Sequence, residues 1–176
     1  MEKVTLKDLK NFFEREPSMR DNVKKIIKNA LVNELEKRGF PPGIHLDFDF
    51  EISKFTRQGD AVVVEVREKL HDAGVLVLED GEDGEIRLTE VPPEFYIAVG
   101  RVKGFEEGEF SVSILKAGKK MVINKRFIKK IEVDGAGRDN MAYLKVYISG
   151  EEEPETLFLP SVVAEFLVER FSFRGE

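Results

Sequence analysis

The stretch Ile44-His45-Leu46-Asp47-Phe48-Asp49-Phe50-Glu51-Ile52 decides the fold class. Apolar and polar residues alternate strictly along it. Successive side chains of a strand point to opposite faces, so this pattern predicts a half-buried β-strand. It marks a change of texture, because the chain before it repeats at helical spacing and most of the chain after it reads as short strands.

Upstream, Thr5 followed by Asp8 forms a weak capping-box pattern ahead of Leu6, Leu9, Phe12 and Phe13, and Pro17 stops that helix. Ser18 and Asp21 repeat the cap. Val23, Ile26, Ile27, Ala30, Leu31 and Leu35 then form one apolar stripe, with Lys24, Lys25, Lys28 and Lys37 away from it. Gly39 stands at the expected C-cap, and Pro41-Pro42-Gly43 forbids continuation. Residues 1–42 are therefore expected to form an N-terminal helical pair.

Downstream, residues 61–66, 75–78, 86–88, 95–102, 110–115, 121–123, 127–133, 142–148 and 156–159 read as strands separated by glycine and charge. Pro160-Ser161 opens a closing helix over Val162, Val163, Phe166, Leu167 and Phe171. Helices at the chain ends around a run of strands predict α+β: a helical pair, then an antiparallel β-barrel or sandwich over residues 43–176 closed by a C-terminal helix. The two parts could also form one compact unit. The last seventy or so residues, strands followed by a closing helix, resemble the pleckstrin-homology type of fold. The series from Gly100 to Val133 is similar to SH3- or Sm-type strand series. Both resemblances are topological, and neither carries a functional residue across.

The chain has 176 residues, enough for one domain with a small appendage. Cysteine is absent, which excludes disulfides and thiolate chemistry. No apolar run reaches the roughly 18 residues a membrane helix needs, and the segment Met1–Lys10 lacks the apolar core of a secretory signal. A cytoplasmic setting with no membrane partner is expected. A single glutamine, no cysteine and abundant Lys and Glu resemble hyperthermophile composition.

Charge supplies the functional signal. The formal net charge is −6, yet Phe110–Ile131 contains no acid. That window holds seven of the 28 basic residues, leaving 21 elsewhere to face 34 acidic ones. The seven are Lys116, Lys119, Lys120, Lys125, Arg126, Lys129 and Lys130. A local positive field on an acidic body attracts an anion. Phosphates are its natural partner, since basic side chains displace condensed counterions from nucleic acid. Phe110, Phe127 or Tyr143 could stack bases. Two bland readings compete: edge-strand lysines deter aggregation, and Glu151–Glu153 with Glu155 could neutralise the patch. An acidic chain also departs from the usual basic character of nucleic-acid binders.

His45, Asp47, Asp49 and Glu51 share one strand face, with neighbours about 6.6 Å apart along the strand. Of these, His45, Asp47 and Asp49 are the metal candidates, against the simpler reading of a polar strand face. Glu79–Glu90 partly matches a calcium loop, with Gly84 sixth and Glu90 twelfth, but Gly81 removes a ligand position and strands flank it, so a hairpin turn is expected. No nucleophile elbow, Walker loop or dinucleotide fingerprint is present, and no cofactor is implied.

The C-terminal helix is apolar nearly all round, which predicts burial in the monomer or against a protein partner or second copy. The resulting expectation is a non-enzymatic binding or adaptor protein that uses its basic strand-turn segment on nucleic acid, RNA or DNA. The alternatives are a protein-interaction module and a metal-dependent enzyme.

Overall fold

A computed structural model describes residues 4–44, 49–59, 61–70, 73–135 and 139–174. The chain divides into two compact units, Met1–Arg38 with Pro42–Pro92, and Gly39–Pro41 with Pro93–Glu176. The helical pair thus belongs to the same unit as the first strands.

In the first unit, helix α1 (Leu6–Arg15) starts at Thr5. The Asp8 amide donates to Thr5 Oγ1 at 3.2 Å and the Thr5 amide donates to Asp8 Oδ2 at 3.2 Å, so the capping box is complete. Glu16, the residue before Pro17, leaves helical geometry (φ −128°, ψ 85°), since proline disfavours the helical region in the residue ahead of it. Helix α2 (Arg20–Lys37) buries Val23, Ile27, Leu31 and Leu35. Its start departs from the sequence reading. A 3-10 turn spans Pro17–Met19, and Met19 occupies the cap without a side-chain bond, leaving Ser18 no capping role. Gly39 adopts φ +99°, the left-handed geometry expected of a helix terminus.

Strands β1 (Phe50–Gln58), β2 (Ala61–Glu68), β3 (Gly74–Asp80) and β4 (Ile86–Leu88) form an antiparallel sheet in that order. Phe50, Val64, Val66, Leu76, Leu78 and Leu88 are buried in it. Helix α2 is tied to the sheet edge where the Leu88 amide donates to Glu34 Oε2 at 3.1 Å. Glu79–Glu90 is the β3–β4 hairpin, as its flanking strands predicted.

In the second unit, helix α3 (Pro93–Val102) replaces the strand expected over residues 95–102. Pro93 suits the first turn of a helix, where its missing amide costs nothing. Phe95, Ala98 and Val99 are buried at helical spacing. An apolar run of this length satisfies either period, and the proline decides it. Strands β5 (Phe105–Glu107), β6 (Ser111–Lys116) and β7 (Lys119–Asn124) form one antiparallel sheet. Strands β8 (Ile128–Gly135), β9 (Met141–Ile148) and β10 (Glu155–Pro160) form another, in the order β10-β9-β8. Helix α4 (Ser161–Arg174) packs on α3 and on all three strands of the second sheet.

The class is α+β, with three antiparallel sheets and no closed barrel among the described residues. Strands β4 and β5 are the shortest of these, with three residues each. No described helix is long and apolar enough to cross a membrane.

Candidate nucleic-acid interface

The basic segment folds as a hairpin, a turn and the start of a strand. Ala117 (φ +53°) and Gly118 (φ +78°) both adopt left-handed backbone, the arrangement whose twist matches a two-residue hairpin. Leu115 pairs with Lys120, and Lys116 with Lys119 closes the ladder. On the other side of β6, β5 reaches only as far as Phe105 opposite Ile114, followed by a Leu115 amide bond to Gly104 O at 2.8 Å. Beyond that point the hairpin is a two-stranded ribbon. Every residue from Leu115 to Val122 is exposed, with Val122 at 62%.

The seven basic residues separate into three groups. Lys116 pairs with Glu155 at 3.0 Å, Lys125 with Glu107 at 2.7 Å, and Lys130 with Glu132 at 3.5 Å. Lys130 also lies 4.6 Å from the centre of the Tyr147 ring, whose hydroxyl donates to Glu132 at 2.6 Å. That bond holds the Glu132 carboxyl below its ordinary range and raises the Tyr147 phenol. Arg126 rests on Phe127, 4.9 Å from the ring centre. Lys119, Lys120 and Lys129 are exposed and, among the described residues, have no carboxylate in ion-pair range. Of the acidic run 151–155, Glu155 reaches the patch, through Lys116.

The cations that carry no carboxylate are therefore Lys119 and Lys120 at the ribbon tip, and Arg126 and Lys129 past the other end of β7. The six-residue strand separates the two pairs by about 16 Å. Phe110 (73% exposed) and Phe127 (45%) lie on the Arg126 side, where the Lys125 amide donates to Phe110 O at 2.9 Å. Tyr143 is exposed too, but it packs against Phe158 at 5.0 Å on the sheet of β8–β10. Sequence reasoning missed the exposed Leu115, Met121 and Val122. In the sequence they read only as parts of the strands over residues 110–115 and 121–123.

Of the metal candidates, His45 and Asp47 lie outside the described residues, and Asp49 is exposed. Among the described residues no three metal-ligating side chains are grouped. The apolar positions Val163, Ala164 and Leu167 of α4 are buried within its own unit, and Phe166 stacks on Tyr96 at 4.7 Å. No family model, curated protein or solved structure matches the chain.

Proposed function

We propose that this protein is a non-enzymatic binding protein that grips nucleic acid with its β6–β7 ribbon and the turn that follows. The observation that carries the reading is the ribbon itself. Eight consecutive residues, Leu115–Val122, are exposed, so folding energy does not explain the projection. A two-stranded β-ribbon fits a duplex groove, and its lysines can meet phosphates. Lys119, Lys120, Arg126 and Lys129 supply the phosphate contacts, while Phe110 and Phe127 offer ring faces to unpaired bases.

The reading is tested by fluorescence anisotropy with short duplex and single-stranded oligonucleotides across a salt series. Affinity falls steeply with salt, and K119E/K120E/R126E/K129E abolishes it without moving the melting temperature. Binding of that variant as tight as wild type overturns the proposal.

A second reading rests on a different feature of the same ribbon. Strand β7 is an edge of its sheet with Met121 and Val122 exposed, which suits addition of a strand from a protein partner. Association that ignores salt and is lost in V122K favours this reading over nucleic acid.

A further inference from the structure

The first unit contains a cleft of about 320 Å³ that no part of the ribbon's function uses. It is lined by Asp21, Lys24, Lys25 and Lys28 from α2, and by Asp49 and Phe50 at the start of the first strand. Three ammonium groups meeting two carboxylates leave the cleft positive within an acidic protein.

The charges in this cleft are arranged without mutual pairing. Asp21 lies three and four residues before Lys24 and Lys25, the spacing at which helical ion pairs form. Yet among the described residues none of the three lysines has a carboxylate in ion-pair range. Lys24 instead sits 5.8 Å from the centre of the Phe50 ring, a side chain that is fully buried. Lys24 and Lys28 are themselves four apart, so they repel along the helix. Both are only half exposed, so part of each stem is held against the protein while, among the described residues, no carboxylate lies in ion-pair range of its charge.

A compact anion is drawn to this excess of positive charge. A phosphate group can accept charge-assisted hydrogen bonds from two or three ammoniums at once. The volume lies near the small end of the range for small-molecule sites, roughly 300–1,000 Å³. We infer that this cleft binds the phosphate group of a small phosphorylated molecule, with Lys24, Lys25 and Lys28 as its cationic wall and Phe50 at its base. This inference is independent of the ribbon, because the two sites share no residue.

The experiment is calorimetric titration of the whole protein with inorganic phosphate, with AMP, and with a short oligonucleotide. Both small phosphates are expected to bind. K24Q/K28Q should weaken them at least about tenfold, the change that about 1.4 kcal/mol produces. K24R/K28R should restore binding, and K119E/K120E should leave it unchanged. Should K24Q/K28Q fail to fold, K25Q serves in its place. Absence of binding by both small phosphates, or equal binding by the glutamine variant, overturns the inference. Oligonucleotide binding that depends on Lys24 and Lys28 while the small phosphates do not bind also overturns it, and assigns the lysines to a nucleic-acid backbone.

Discussion

The ammonium of Lys125 lies 2.7 Å from the carboxylate of Glu107, whose side chain is only 7% exposed. Arg170 of α4 approaches the same carboxylate at 3.7 Å. Glu107 thus ties the turn after β7 to β5 and to the closing helix. Lys125, read from the sequence as part of a cationic surface, is a structural pin that holds the base of the ribbon.

That pin has a measurable strength. Glu107→Gln leaves the Lys125 charge without its counterion in a partly buried place. Stability should fall by about 2 kcal/mol, within the range for hydrogen bonds to charged groups. A urea titration reads this as a lower midpoint with an unchanged slope. An unaltered midpoint would mean that solvent replaces the carboxylate without loss.

The ribbon tip contains local strain that substitution can relieve. Ala117 occupies left-handed backbone at φ +53°, a region that costs a residue with a Cβ about 1–2 kcal/mol. Ala117→Gly, which leaves two glycines at the turn, should raise stability by a few tenths to about 1 kcal/mol, since glycine's greater freedom when unfolded offsets part of the gain. Thermal melting checks the direction. Gly118→Val, at φ +78°, should act oppositely.

Binding to nucleic acid should respond to single charges in a graded way. Replacing Lys119, Lys120, Arg126 or Lys129 singly with Gln should reduce the slope of log affinity against log salt by about 0.7 for single strands. Lys116→Gln and Lys125→Gln should change the slope much less, because their charges already face Glu155 and Glu107. Equal effects at all six positions would show that the ion pairs open in the complex.

Glu68 makes the first unit sensitive to pH. Its side chain sits at the end of the buried row formed by Val64 and Val66, and burial raises its carboxyl from 4.5 to about 7. The folded protein therefore holds this proton more tightly than the unfolded chain. The contribution to stability is complete below about pH 4.5 and is lost as pH rises through 7. At roughly 1.4 kcal/mol per pH unit of displacement, the loss amounts to about 3 kcal/mol at most. Glu68→Gln should flatten the decline between pH 5 and pH 8, measured as the difference in unfolding free energy from wild type. An identical pH profile in the variant would place the carboxylate in contact with water.

Much of the architecture was legible locally. The Thr5–Asp8 box, the stripe through Val23, Ile27 and Leu31, and the left-handed Gly39 each depend on neighbours a few residues away, so spacing revealed them. The same holds for the hairpin over Glu79–Glu90. Residues 95–102 were misread because an apolar run fits either period, and the helix-starting role of Pro93 outweighed it. Within the expected barrel or sandwich, the grouping of the strands into three antiparallel sheets was not legible, because strand pairing is a long-range choice that alternation does not encode.

The basic segment divides along the same line. Sequence by itself determined the α+β class, the two N-terminal helices, the closing helix and the presence of one acid-free window in an acidic chain. Composition and short-range periodicity are properties of neighbouring residues. Tertiary structure alone decided which of those seven charges stay available. Glu107 lies 18 residues from Lys125 and Glu155 lies 39 from Lys116, and only folding brings each carboxylate to its ammonium. It also decided that the residues from Leu115 to Val122 are exposed. Charge pairing and burial depend on distance in space, which the order of residues along a chain does not state.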